Sequence, residues 1–130
     1  MLASWVSQAS FSPPGITVAV KKDRATESLL VLNNRFNVNI LAEGKEKAIM
    51  KAVLKPFQPG EFRFNDVEYE RSEDTGCVLL KDAVSVLECT VADRLDAGDH
   101  WIVYGIVSKG KVQDEASVSS IHHRKDGTSY

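Results

Sequence analysis

The stretch from Ala3 to Val20, ASWVSQASFSPPGITVAV, constrains the chain most. It opens on small and polar residues, Ala3 to Ser10, and breaks at Pro13-Pro14-Gly15. It then becomes an apolar strand, Ile16 to Val20. Two prolines in succession lack the N–H groups that a helix or a central strand would use, so regular structure is interrupted there. A hydroxyl- and amide-rich segment is poor core material. The pattern predicts a loop over 3–10 whose backbone N–H groups and hydroxyls can hold an anion such as a phosphate.

The rest of the chain reads mostly as β. Phe36, Val38 and Ile40 alternate with Asn37 and Asn39, which predicts a strand over Phe36 to Leu41. Val84 to Asp93 is apolar on both faces, as expected of a strand packed on both sides. His100 to Lys109 is the strongest strand, with Gly105 a bulge or a close approach. Val67 to Arg71 is a shorter one. A short helix is expected within Asp23 to Leu32, started by Asp23 and Thr26. A second is expected over Glu43 to Leu54, where Ala48, Ile49, Ala52 and Val53 form one apolar stripe ended by Pro56. Phe57 to Asn65, with Pro59-Gly60, reads as a loop pinned by aromatic anchors. About six strands and two helices predict a small antiparallel β-barrel. At 130 residues and 43% hydrophobic content, one domain with a real core is expected.

Composition narrows the function. A net charge of −2 gives no electrostatic basis for nucleic-acid or anionic-membrane binding. No apolar run approaches the roughly 20 residues needed to span a bilayer, and the first residues lack the features of a signal peptide. Cys77 and Cys89 form no CxxC pair and have no histidine at ligand spacing, so two thiols in a reducing cytoplasm are expected and no metal site. The adjacent His122 and His123 would point to opposite faces of an extended strand, a poor chelate.

Four segments resemble the flavin reductase-like FMN-binding split barrels. They are the serine-rich run into Pro13-Pro14 and its strand, Arg35 to Leu41, Gly98-Asp99-His100 with the strand that follows, and the ending His122 to Tyr130. Their order and spacing agree across nearly the whole chain. The wording ASWVSQASF, DHWIVYG and HHRK is most similar to the C-terminal flavin reductase-like domain of cyanobacterial flavodiiron proteins.

The resemblance implies a mainly β fold, a split barrel with two short helices. It implies FMN, with FAD the less favoured flavin, and NAD(P)H as a transient reductant. No Gly-x-Gly-x-x-Gly for a tightly held dinucleotide is present. By resemblance, Ser4, Trp5, Ser7, Gln8, Ala9 and Ser10 lie near the phosphate, ribityl chain or ring, and His100 is the candidate catalytic residue beside the nicotinamide and flavin. Lys22, Arg24 and Ser28, where a strand turns into a helix, are further phosphate candidates; a solvated strand rim is the alternative. Asn39 matches the asparagine of the family's strand and is either structural or beside the ring. Arg124 and Tyr130 are weaker candidates. Trp5 and Trp101 also read as core or interface residues.

The family's loop follows a first β-strand, whereas here it starts at residue 3. The expectation is therefore one domain, 1–130, lacking its first strand and cut from a longer cytoplasmic protein. A homodimer with FMN near the subunit interface is implied, and a flavodiiron parent would add flavodoxin-like and diiron modules that reduce oxygen. Other readings stay open. They are a flavin-binding or dimerisation module without turnover, a cofactor-free interaction barrel, and a barrel binding another ligand such as haem through His100 and His122.

Overall fold

The computed structural model describes residues 1–24, 27–56, 58 and 60–121, without the side chains of Arg24, Glu27 and Ser28. Among the described residues seven strands carry the fold: β1 (Val6–Phe11), β2 (Pro14–Lys21), β3 (Arg35–Leu41), β4 (Tyr69–Arg71), β5 (Val78–Leu80), β6 (Ala83–Ala97) and β7 (His100–Val112). Two helices, α1 (Glu27–Leu30) and α2 (Glu46–Leu54), and a 3-10 turn at Lys22–Arg24 complete the described elements. Five strands form one antiparallel sheet in the order β1-β2-β7-β6-β3, and β4-β5 is a separate hairpin. The expected antiparallel β fold is present.

The serine-rich run is not a loop. Val6 to Phe11 pairs antiparallel with β2, Ser7 opposite Thr17 and Gln8 opposite Ile16, with a bulge at Ala9. Serine is a weak strand former, but β1 is an edge strand and largely exposed. Pairing with β2 decides its conformation where intrinsic preference does not.

In β2, Ile16, Val18 and Val20 are buried, while the residues between them are half-buried. They face Phe36, Cys89, Val91 and Val103 in the principal core. Two strands touch at glycines. A Cβ on Gly105 would lie 2.6 Å from the Phe36 ring, and one on Gly15 would lie 2.6 Å from the Tyr104 ring. Gly105 is thus a close approach, as its sequence context predicts.

The apolar character of both faces of β6 has a direct cause. Leu87, Cys89 and Val91 join the principal core, while Val86 joins Ile49, Leu79, Leu80 and Ala83 in a second one. The β4-β5 hairpin and α2 supply that second layer. In α2, Ile49, Ala52 and Val53 are buried, on the spacing of one helical face. Lys55, just before Pro56, is extended with ψ 141°, as a residue preceding proline prefers.

Two elements differ from expectation. β5 is too short for its alternation to be seen, and β6 continues to Ala97 because each residue from Arg94 to Ala97 finds a partner on β7. The expected start Thr26 and the residues Phe57 and Pro59 lie outside the described residues. No described helix is long and apolar enough to cross a membrane.

Candidate functional site

Three strands end together where β7 begins. Lys21 of β2 lies opposite His100, which lies opposite Ala97 of β6. The turn between β6 and β7 uses Gly98 at φ 78°, a conformation open to glycine, and its N–H donates to Asp96 Oδ1 at 3.0 Å. The turn delivers Asp99 beside His100, with Oδ1 2.8 Å from Nδ1. Asp99 also fixes the chain beyond β2, since its carbonyl accepts from the Lys22 N–H at 2.9 Å.

The hydrogen bond with His100 holds the Asp99 carboxyl below the usual range. A carboxylate only accepts, so the His100 Nδ1–H is the donor of this pair. His100 is 8% exposed. The Trp5 ring lies against it, with ring centroids 5.0 Å apart and the planes tilted by 38°. The Trp5 carbonyl accepts from the Ala19 N–H at 2.9 Å, which sets the indole over the strand end.

A second cluster adjoins the first. The Lys22 ammonium is 2.7 Å from Asp96 Oδ1 and 4.9 Å from the Trp101 ring centroid. The Arg94 guanidinium is 5.2 Å from the same ring and donates to the Leu30 carbonyl. Two cations therefore hold Trp101 by cation–π contact, and the ring also packs on the principal core. The Lys22 hydrogen bond, then that from Gly98 N–H, keeps the Asp96 carboxyl low. An anion arriving at Lys22 would compete with Asp96.

Strand alternation sorts the sequence candidates. Cross-strand partners share a face, so Ser7, opposite Thr17, lies on the same face as Ala19, Lys21 and His100. The register separates Ser7 from His100 by four residues along β2, about 13 Å. Gln8, opposite Ile16, lies on the other face, and the bulge at Ala9 resets Ser10, which is half-buried opposite Gly15. Ser7 Oγ donates to the Gln8 carbonyl at 3.2 Å. Ser4 is exposed in the segment leading into β1. Trp5 and His100 thus meet at the strand end, and Ser7 shares their face of the sheet but lies farther along it.

Asn39 is committed elsewhere. Its Nδ2 donates to the Val78 carbonyl at 3.1 Å and its Oδ1 accepts from the Leu80 N–H at 2.8 Å. The side chain stitches β5 onto β3. The side chains of Arg24 and Ser28, and all of His122, Arg124 and Tyr130, lie outside the described residues. Arg94 and Asp96 were not legible as site residues because they follow the apolar run of β6. The signal that could have found them is a cationic and an acidic residue just before Gly98.

Elsewhere, a cleft of about 260 Å³ is lined by Arg71, Ser72, Glu88, Lys109 and Lys111 among others. It offers no aromatic ring and does not include His100. Cys89 is buried, and desolvation followed by the Glu88 charge pushes its thiol up to about 12. Among the described residues no three His, Cys, Asp or Glu side chains form a group able to hold a metal ion.

Residues 1–128 match the family described as flavin reductase like domain. The chain is 52% identical over its full length to diflavin flavoprotein A 1 of Synechocystis sp., covering 22% of that protein. It is 51% identical to a diflavin flavoprotein A of Nostoc sp., covering 23% of it. The chain therefore spans less than a quarter of these relatives' length. A Streptomyces globisporus NADH:FAD oxidoreductase, solved in complex with NAD and FAD fragments, superposes with a TM-score of 0.75 at 29% identity. That match covers 90% of this chain and 68% of the other.

Proposed function

The chain belongs to the flavin reductase like domain family, and from that premise we propose that it binds FMN and passes reducing equivalents from NAD(P)H to the flavin. One observation carries the reading. The Trp5 ring lies against His100, which pairs with Asp99, and the backbone of Lys22 is hydrogen-bonded to the Asp99 carbonyl, so segments distant in sequence gather where β2, β6 and β7 end.

The donors there fit a flavin nucleotide. A phosphate ester carries about two negative charges near neutral pH. The candidates for it are the Lys22 ammonium, the hydroxyls of Ser4, Ser7 and Ser10, and the outward backbone N–H groups of β1, an edge strand. Gln8 and Ala9 extend that edge, and Arg24 and Ser28 belong to the same proposal through the family resemblance.

When bound, the flavin supplies the redox chemistry by accepting a hydride equivalent from the reduced nicotinamide. The chain's own residues bind and orient. Asp99 orients the His100 ring by accepting from its Nδ1–H. Lys22 offsets phosphate charge, and Asp96 holds its ammonium in place in the meantime. Trp5 packs its ring against His100.

We place this domain as the electron-input module of a longer cytoplasmic diflavin protein, with a diiron centre that reduces oxygen, and as a homodimer whose second copy completes the flavin site. The diflavin relatives and their greater length support that placement. The test is an absorbance spectrum of the purified protein after FMN addition and desalting, followed by anaerobic NADH and NADPH. Retained flavin that bleaches supports a reductase. Retained flavin that does not bleach reduces the domain to a binding module. Absence of retained flavin, in this chain and in a longer parent chain alike, overturns the reading.

A further inference from the structure

We propose that Arg94 is a second cation of the phosphate site: with Lys22 it flanks the Trp101 ring from the two sides of β7, and the two together take a phosphate ester. The proposal rests on the flavin reading above and adds a residue to the same site.

The register brings the two cations together. Trp101 lies opposite Val20 of β2 and Asp96 of β6, so the three share one face of the sheet. Arg94, two residues before Asp96, is on that face too. Lys22 comes to the ring from the β2 side, 4.9 Å from its centroid, and Arg94 from the β6 side at 5.2 Å. Neither contact alone marks an anion site. Their convergence on one half-buried ring is the signal, because like charges held close repel unless an anion offsets them.

The offset already in place is incomplete. Asp96 takes the Lys22 ammonium at 2.7 Å. Arg94 donates to the neutral Leu30 carbonyl and lies over the neutral Trp101 ring. Among the described residues no carboxylate forms an ion pair with it. One positive charge is left over, and Arg94 keeps N–H donors beyond the one given to Leu30. A phosphate ester carries about two negative charges near neutral pH, enough for both cations. The guanidinium fork also matches the spacing of phosphate oxygens. Asp96 can release Lys22 without losing every partner, because the Gly98 N–H still donates to its Oδ1.

Flavin fluorescence titrations of wild type, Arg94→Met and Arg94→Lys test this. Arg94→Met keeps a long side chain beside Trp101 but removes the charge. Its FMN affinity should fall by about 10- to 100-fold, the worth of one charge-assisted hydrogen bond. Riboflavin, which has no phosphate, should bind it as it binds wild type. Arg94→Lys, which keeps the charge and loses the fork, should lie between the two. Unchanged FMN affinity in Arg94→Met overturns the proposal. So do equal losses of FMN and riboflavin, which would make Arg94 only a tie between α1 and Trp101; in both cases the flavin reading stands. If wild type binds neither flavin, in this chain and in a longer parent chain alike, the flavin reading falls and inorganic phosphate decides. In protein carrying 5-fluorotryptophan, with the Trp101 resonance assigned through Trp5→Phe, phosphate at constant ionic strength should then shift that resonance saturably in wild type and not in Arg94→Met. No saturable shift, or the same shift in both, overturns the anion site.

Discussion

The Ser72 hydroxyl donates to the Glu88 carboxylate, joining the end of β4 to the middle of β6. Both residues are 5% exposed. The same Ser72 oxygen accepts from the N–H groups of Asp74 at 3.1 Å and Thr75 at 3.0 Å, so its proton is directed to Glu88. Ser72→Ala removes an acceptor from two amides and a donor from a buried carboxylate. It should lower unfolding stability by about 2–4 kcal/mol, read by denaturant titration. A loss under about 1 kcal/mol would mean that water replaces the hydroxyl.

Gly105 and Phe36 are in contact without room for a methyl group. Gly105→Ala should cost about 1–3 kcal/mol through overpacking. The double variant Gly105→Ala with Phe36→Leu should be less destabilised than the sum of the two single variants. Strict additivity in thermal melts would show that the two positions are not coupled.

The two thiols should separate by burial. Cys89 is fully buried with its thiol pushed up to about 12, whereas Cys77 is half-buried. An aromatic disulfide reagent near neutral pH should label Cys77 in the folded protein and Cys89 only on unfolding. Rapid labelling of both in native protein would show that the principal core opens readily.

Acid should destabilise the domain through specific carboxylates. Asp96 and Asp99 are held below their usual value of 3.8, chiefly by hydrogen bonds from Lys22 and His100. A carboxyl lowered in the folded state contributes stability above its unfolded value and loses it as pH falls through the folded one. Stability should therefore drop as pH is lowered below about 4. Asp96→Asn should make the decline shallower, in denaturant titrations at a series of pH values. An unaltered slope in Asp96→Asn would remove Asp96 from that linkage.

Lys22→Met tests the assignment of the phosphate. A charge-assisted hydrogen bond is worth about 1.5–3 kcal/mol, so FMN affinity should fall by about 10- to 100-fold. Riboflavin, which has no phosphate, should bind the variant as it binds wild type. Equal losses for both ligands would put Lys22 against the ring or would mean that its contact with Trp101 is structural.

Alternation made much of the fold legible. Ile16, Val18 and Val20, the Phe36–Ile40 pattern and the α2 stripe each show one buried face directly. The two-faced apolar character of β6 announced a layer on each side. Asp99-His100 was legible as a candidate through its resemblance to the family's Gly-Asp-His strand start.

What the sequence by itself determined, then, was the set of long strands, the turn at Gly98 and the chemistry available in Trp5, Lys22 and His100. Tertiary structure decided the rest. Ser7 to Ser10 became strand because β2 offers them an antiparallel partner, which outweighs weak local preference. Asn39 became a clasp for β5 because the hairpin brings the Val78 carbonyl and the Leu80 N–H within reach of both ends of its amide. Lys22, Asp96 and Trp101 became one cluster because β2, β6 and β7 end together. Contacts between residues so distant in sequence leave no periodic trace; they exist only once the sheet's register fixes which strand ends coincide.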